Sequence, residues 1–241
     1  MKTIKKALIF MCLASGVLAL ALYFWSIAHP PWRLNRVAEN RNAVVHIFNF
    51  SDGLSRGSGV IISRSGTILT AAHIASPGDI LLVVTKDSRG QIKIIPASVG
   101  LSDEKSGFSL LFTSGGLPPP VSFGSTRDLR EGDLVYTIGF PGQLNYPVVD
   151  EGIIANRNIR YQISRHRRSL LIRLTPVPGM SGSPVFNQDG ELIGIFDAMI
   201  GQLTMNNNLQ LWGVVTPTDP LTGIIKRWLV ATGMPAPTVK R

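Results

Sequence analysis

From residue 43 onward, apolar and polar positions alternate with a period close to two, in short runs broken by turn residues. Six β-rich runs fall at 44–48, 59–63, 67–70, 80–84, 91–95 and 109–112. Six more fall at 134–138, 148–155, 170–174, 184–186, 192–196 and 209–215. Gly, Asn, Asp, Ser and Pro punctuate them, as at Ser65-Gly66 and Asp189-Gly190. No helical pattern separates the runs, so the sequence predicts an all-β sandwich or barrel rather than βαβ units. Leu117-Pro118-Pro119-Pro120 parts the two series and predicts two β modules, about 43–116 and about 130–217. One helix is predicted at about 218–232. Thr218 or Asp219 can cap it, Pro220 suits its first turn, and Leu221, Ile224, Ile225, Trp228 and Leu229 recur at helical spacing. Gly233 and Pro235 end it, leaving a basic tail at 233–241.

A different pattern opens the chain. Lys2, Lys5 and Lys6 precede 22 uncharged, mostly apolar residues, Ala7 to Ala28. A helix of that length rises about 33 Å, enough to cross a bilayer. Tyr23 and Trp25 stand near its far end, where an aromatic belt lies, and the three lysines favour a cytoplasmic N-terminus. Residues 1–28 therefore read as a transmembrane signal anchor of a single-pass inner-membrane protein whose remainder is extracytoplasmic. The competing reading is a cleaved signal peptide with Ala19-Leu20-Ala21 as its site and a secreted product. Pro30-Pro31 should break the helix, and 29–42 read as a polar, basic linker.

Composition narrows the classes further. Of 241 residues, 24 are Lys or Arg and 15 are Asp or Glu. Five of the basic residues lie before residue 37 with no acid among them, so the remainder is 19 against 15, or +4. That balance does not call for a nucleic-acid partner. Cys12 is the one cysteine, which excludes an intramolecular disulfide and a Cys-rich metal site. His29, His46 and His166 are scattered, and neither a metal nor a cofactor is expected.

Two segments carry chemistry: Thr70-Ala71-Ala72-His73 at a strand end, and Gly179-Met180-Ser181-Gly182-Ser183-Pro184. A serine flanked by glycines suits a sharp turn whose N–H groups point at a substrate oxygen. A histidine elsewhere can supply the base that makes such a serine nucleophilic. Each segment alone has a bland structural explanation. Together, one per module in the order His then Ser, they resemble the trypsin-like serine proteases, and most nearly the bacterial HtrA (DegP/DegS) branch. Residues 57–62 with 66–73 look like the strands leading to the family's histidine. Residues 132–141 look like the opening of its second barrel. Residues 179–184 with 190–195 look like its nucleophile loop and the strand after it.

That resemblance, over about 43–232, implies two six-stranded antiparallel β-barrels of chymotrypsin-like fold with a C-terminal helix and the site in the cleft between them. It implies Ser181 as nucleophile, His73 as general base, and the N–H groups of Gly179 and Ser181 as the oxyanion hole. Thr175 and Met199 would line the primary specificity pocket. With no acid at 175, a preference for Arg or Lys is not expected, and Met199 suggests a medium apolar side chain. The substrate would be polypeptide. HtrA relatives often form trimers, so a homo-oligomer is in view. About ten residues follow the helix, too few for a PDZ domain.

The chain departs from the family at the third triad position. The family's Asp-x-Ala-Leu-Leu run is matched by Gly107-Phe108-Ser109-Leu110-Leu111, so Gly107 stands where the aspartate belongs. Asp103 or Ser106 could take over its role. Loss of this aspartate costs about 10⁴-fold in well-studied triads, while roughly 10³–10⁴-fold over water survives. Two readings follow: a serine endopeptidase working without its usual aspartate, or a catalytically silent pseudoprotease that binds polypeptide in the same cleft. Separately, Arg157, Arg160, Arg165, Arg167, Arg168 and Arg173 occupy an acid-free stretch. It reads as a solvated hairpin or, for a tethered domain, a contact for anionic lipid headgroups.

Overall fold

The computed structural model describes residues 16–20, 22–23, 31–87, 90–114, 116–142, 144–160, 168–203, 206–207 and 209–233. The chain divides into two compact units, Met1–Ala38 and Glu39–Arg241. In the first, residues 16–20 and 22–23 are helical. Most of the apolar stretch 7–28 lies outside the described residues, and no helix among those described is long and apolar enough to cross a membrane.

Twelve strands build two closed antiparallel barrels. The first comprises β1 (Val44–Asn49), β2 (Ser55–Ile61), β3 (Thr67–Ala71), β4 (Leu81–Lys86), β5 (Ile92–Asp103) and β6 (Phe108–Thr113), in the spatial order β1-β2-β3-β6-β5-β4. The second comprises β7 (Leu134–Gly139), β8 (Val148–Arg160), β9 (Arg168–Arg173), β10 (Pro184–Phe186), β11 (Leu192–Leu203) and β12 (Leu209–Pro217), in the order β10-β11-β12-β9-β8-β7. Closure leaves no open edge to be shielded.

The two-residue period puts alternate side chains inside each barrel. In the second barrel they are Val135, Ile154, Leu170, Ile172, Leu174, Met180, Val185, Ile193, Phe196 and Val215. β3 and β10 are buried on both faces, which is why Thr-Ile-Leu-Thr-Ala and Pro-Val-Phe read as short apolar runs rather than alternations. β5, β8 and β11 run well beyond the sequence expectation. Each bends through a register shift, at Val99/Leu101, at Ile154/Asn156 and at Phe196/Ala198. Such bulges let one strand serve the barrel and then leave it without showing a longer apolar run.

The Pro-rich joint is stitched to both barrels. Val121 N–H donates to Ile61 O, while Leu192 N–H donates to Ser122 O and Gly124 N–H to Leu192 O. Arg157 donates from Nη2 to the carbonyls of Thr126 and Arg127, so this arginine of the basic stretch holds the joint. Arg165 and Arg167 lie outside the described residues.

Two helical details differ from the sequence reading. Most of the stretch 29–42, read as linker, lies in helix α1 (Pro31–Ala43). Proline at a helix's first position sacrifices no hydrogen bond, so Pro31 starts this helix instead of forbidding it. The C-terminal helix α2 (Asp219–Ala231) buries Leu221, Ile225 and Leu229, and Trp228 stacks on Phe112 at 4.7 Å. Thr218 stands at the N-cap position as expected, but neither its side chain nor that of Asp219 makes a cap bond. Thr218 Oγ1 donates to Leu192 O, and the Asp219 carboxylate accepts from the N–H and the hydroxyl of Thr126. Both side chains are drawn off by partners distant in sequence.

The end of α1 is anchored by Asn40, whose Nδ2 donates to Tyr136 Oη at 2.9 Å and to Gly190 O at 2.8 Å. These bonds are buried, and removing the amide takes a donor from each partner. Asn40→Ala is expected to cost about 1–3 kcal/mol in urea denaturation.

Candidate functional site

The site begins with β3. Its last residue, Ala71, pairs with Phe108, and a single 3-10 turn, Ala72–Ile74, follows. Ala72 and Ile74 are buried, so the turn presents His73, 49% exposed, to the outside. Ala72 N–H donates to Gly107 O at 3.1 Å, which sets Gly107 beside the histidine's own backbone. Gly107 adopts φ +64° and closes a turn through Gly107 N–H to Glu104 O. Within that turn the Asp103 carboxylate accepts Ser106 N–H at 2.9 Å. The acid opposite His73 is Asp197 on β11, whose Oδ1 lies 3.4 Å from Nδ1 and whose side chain is only 9% exposed.

The serine loop is fixed from both sides. Met180 is buried in the core of the second barrel, so its neighbours Gly179 and Ser181 are turned away from that core. Gly179 has φ +93°, and a Cβ there would lie 2.6 Å from Phe140 O. Gly182 has φ +81°, and a Cβ there would lie 2.0 Å from Ser58 O. Only glycine fits either position.

Ser58 on β2 reaches this loop from the first barrel. Its N–H donates to Ser181 O at 2.8 Å, and its hydroxyl donates to Gly179 O at 3.1 Å while accepting Phe140 N–H at 3.0 Å. Thr70 Oγ1 in turn donates to Ser58 O at 2.7 Å, three residues before His73. His73 and Ser181 are thereby tied to one buried residue. Gly182 N–H donates to Phe196 O, and Phe196 N–H donates to Ser183 O. The loop is thus bonded to the strand that carries Asp197.

These bonds leave a pattern in the loop's N–H groups. Those of Met180, Gly182 and Ser183 donate to Val177 O, Phe196 O and Met180 O. Among the described residues, those of Gly179 and Ser181 have no protein acceptor. Two free donors, one on Ser181 and one two residues before it, can bind an oxygen that acquires negative charge.

Of the residues expected in the specificity pocket, Thr175 follows β9, exposed, with its N–H on Asp150 Oδ2 at 3.0 Å. Met199, 39% exposed, pairs with Gly213 on β12, which in turn pairs with Ile172 on β9. Met199 thus lies on the strand that β12 separates from β9, and Thr175 lies just past the end of β9. Among the described residues no three His, Cys, Asp or Glu side chains gather to hold a metal ion.

Sequence reading missed Ser58 and Asp197 as site residues. Asp197 has a signal in hindsight. It is the one charged residue in 192–200, a run otherwise apolar or glycine.

His46 on β1 completes the surroundings. Its ring stacks on Phe140 at 4.5 Å and an angle of 7°, its buried Nε2 has no hydrogen-bond partner among the described residues, and it is 2% exposed. Burial, helped by the nearby Arg56 guanidinium, lowers its pKa from 6.5 to about 4.

The family model described as a trypsin-like peptidase domain matches residues 57–195. A probable periplasmic serine endoprotease, DegP-like, from Halomonas elongata is 35% identical over 141 residues, 58% of this chain and 29% of that protein. A DegP-like relative from Hahella chejuensis is 32% identical over 141 residues with the same coverage. The chain thus spans under a third of the length of these curated relatives. Among solved structures, Deg5 superposes with a TM-score of 0.68 at 19% identity, covering 86% of this chain and 97% of that one. The HtrA-type protease AlgW, solved with a decapeptide, gives a TM-score of 0.68 at 22% identity, covering 84% and 68%.

A pH prediction follows from His46. Its folded pKa lies below its unfolded value, so the folded state binds fewer protons. Stability from this group is full above pH 6.5 and is lost as pH falls toward 4, by up to about 3 kcal/mol. Urea denaturation of His46→Leu should therefore show a smaller loss of stability between pH 7 and pH 4.5 than wild type shows.

Proposed function

The chain belongs to the trypsin-like peptidase family, and on that premise we propose that it is an HtrA-like serine endopeptidase acting on polypeptides outside the cytoplasm. The observation that carries the reading is the pair of N–H groups at Gly179 and Ser181 that have no acceptor among the described residues, while those of Met180, Gly182 and Ser183 are all bonded. A loop that was only a turn would have no reason to spare those two.

The chemistry is acyl transfer. Ser181 Oγ attacks the scissile carbonyl carbon while His73 takes its proton through Nε2. The carbonyl oxygen becomes an oxyanion held by the two N–H groups. His73 returns the proton to the leaving amine, and water then repeats the sequence on the acyl-enzyme. Met199 and Thr175 line the pocket for the residue before the scissile bond, and a medium apolar side chain suits Met199. No cofactor or metal enters the scheme.

Residues 7–28 tether the domain to the inner membrane as a single span, with the peptidase on the far side. The uncharged stretch after three lysines supports this, and the relatives from Halomonas and Hahella are described as periplasmic. Gly107 favours the second reading, a silent cleft that binds polypeptide without cutting it.

Fluorophosphonate labelling separates the two. Wild type is expected to label, Ser181→Ala not at all, and His73→Ala at least about 10³-fold more slowly. A folded wild type that stays unlabelled supports the silent cleft. Labelling that persists in Ser181→Ala places the nucleophile elsewhere.

A further inference from the structure

We infer that Asp197 is the positioning carboxylate of His73, so that the charge missing at Gly107 on the first barrel is supplied from the second. The inference rests on the serine-peptidase reading of the same site.

Three observations carry it. The first is distance and burial: Asp197 Oδ1 lies 3.4 Å from His73 Nδ1, and the carboxylate is 9% exposed while the imidazole is 49% exposed. A carboxylate sunk behind the ring, with the ring's other edge open, is the arrangement in which one nitrogen is held and the other works on substrate. The second is how the strand aims this side chain. Phe196 pairs with Val215 and Ala198 with Val214, so Asp197 is the extra residue of a β-bulge, opposite no residue of β12. A bulge re-aims a side chain that regular alternation would direct elsewhere. Phe196 is bonded to Gly182 and Ser183, so the bulge is held in register with the nucleophile loop. The third is the first barrel itself. Gly107 offers His73 no side chain, and Asp103 accepts Ser106 N–H within its own turn.

In this arrangement Asp197 accepts the Nδ1–H of neutral His73, leaving the Nε2 lone pair for the Ser181 hydroxyl. When the imidazole takes the proton, the carboxylate stabilises the cation. Asp197 does not touch substrate, and its effect passes through His73.

Two measurements test this. The tautomer of neutral His73, read from imidazole ¹⁵N shifts in the full chain, is expected to be Nδ1–H in wild type and to shift toward Nε2–H in Asp197→Asn. Nε2–H in wild type, or no change in the variant, overturns the inference whether or not the protein is an active peptidase. The second is the rate of labelling by a fluorophosphonate probe. Asp197→Asn should lower the limiting labelling rate by about 10²–10⁴-fold with probe affinity and melting temperature little changed. Adding Gly107→Asp to Asp197→Asn should restore at least about tenfold of that loss, since aspartate tolerates the left-handed backbone better than most residues. A wild type that labels while Asp197→Asn labels equally fast overturns the inference and leaves the peptidase reading standing. A wild type that is silent while His73 is the Nδ1–H tautomer overturns the peptidase reading and leaves the pairing.

Discussion

The geometry of this cleft depends on one buried serine. Ser58 uses every polar atom it has: its N–H on Ser181 O and its hydroxyl between Gly179 O and Phe140 N–H reach across the barrel boundary, and its carbonyl accepts from Thr70 Oγ1 within the first barrel. The glycines around it follow from that approach. A side chain at Gly182 would strike Ser58 O, and one at Gly179 would strike Phe140 O. A buried group with all its bonds made is worth about 1 kcal/mol per bond, but leaving such partners unpaired costs about 1–3 kcal/mol each. The loop therefore has little freedom to relax into another shape. Ser58 thereby fixes the carbonyls of Gly179 and Ser181, and Gly142 N–H fixes the carbonyl of Pro178, in the peptide that carries the Gly179 N–H.

The two barrels divide the labour. The first supplies His73, at the end of a strand buried on both faces, and the clamp at Ser58. The second supplies the serine loop, anchored by Met180 in its core, and the strand whose bulge carries Asp197. In the family pattern the histidine's aspartate comes from the first barrel. Here Gly107 keeps the backbone contact to Ala72 but offers no side chain, and a carboxylate from the facing barrel reaches the same ring nitrogen. A carboxylate can approach Nδ1 from more than one direction, because the imidazole asks only for an acceptor within reach of that nitrogen.

Much of this was legible in the sequence because it is local. Strand positions follow from the period of two, and the serine loop is visible in Gly179 and Gly182, which the backbone requires. What was not legible depends on tertiary partners. Helix α1 was hidden because Pro30-Pro31 reads equally as a break or as a start, and Asn40 finds Tyr136 and Gly190 only after the second barrel has brought them together. Thr218 does stand at the N-cap position of α2, but Leu192 and Thr126 claim the side chains of Thr218 and Asp219, so neither makes a cap bond. Asp197 escaped notice because its direction is set by a register shift that no run of residues encodes. Alternation alone would have treated it as one more position on a strand.

The central claim is that Ser58 holds Gly179 and Ser181 so that their N–H groups converge on one oxygen. A crystal structure of the protein phosphonylated at Ser181 tests it most directly. The phosphonyl oxygen is predicted to lie within about 2.7–3.1 Å of both backbone nitrogens, with the Ser58 bonds to Ser181 O and Gly179 O intact. An oxygen turned to solvent, or a Pro178–Gly179 peptide rotated so that only the Ser181 N–H remains in reach, would contradict it.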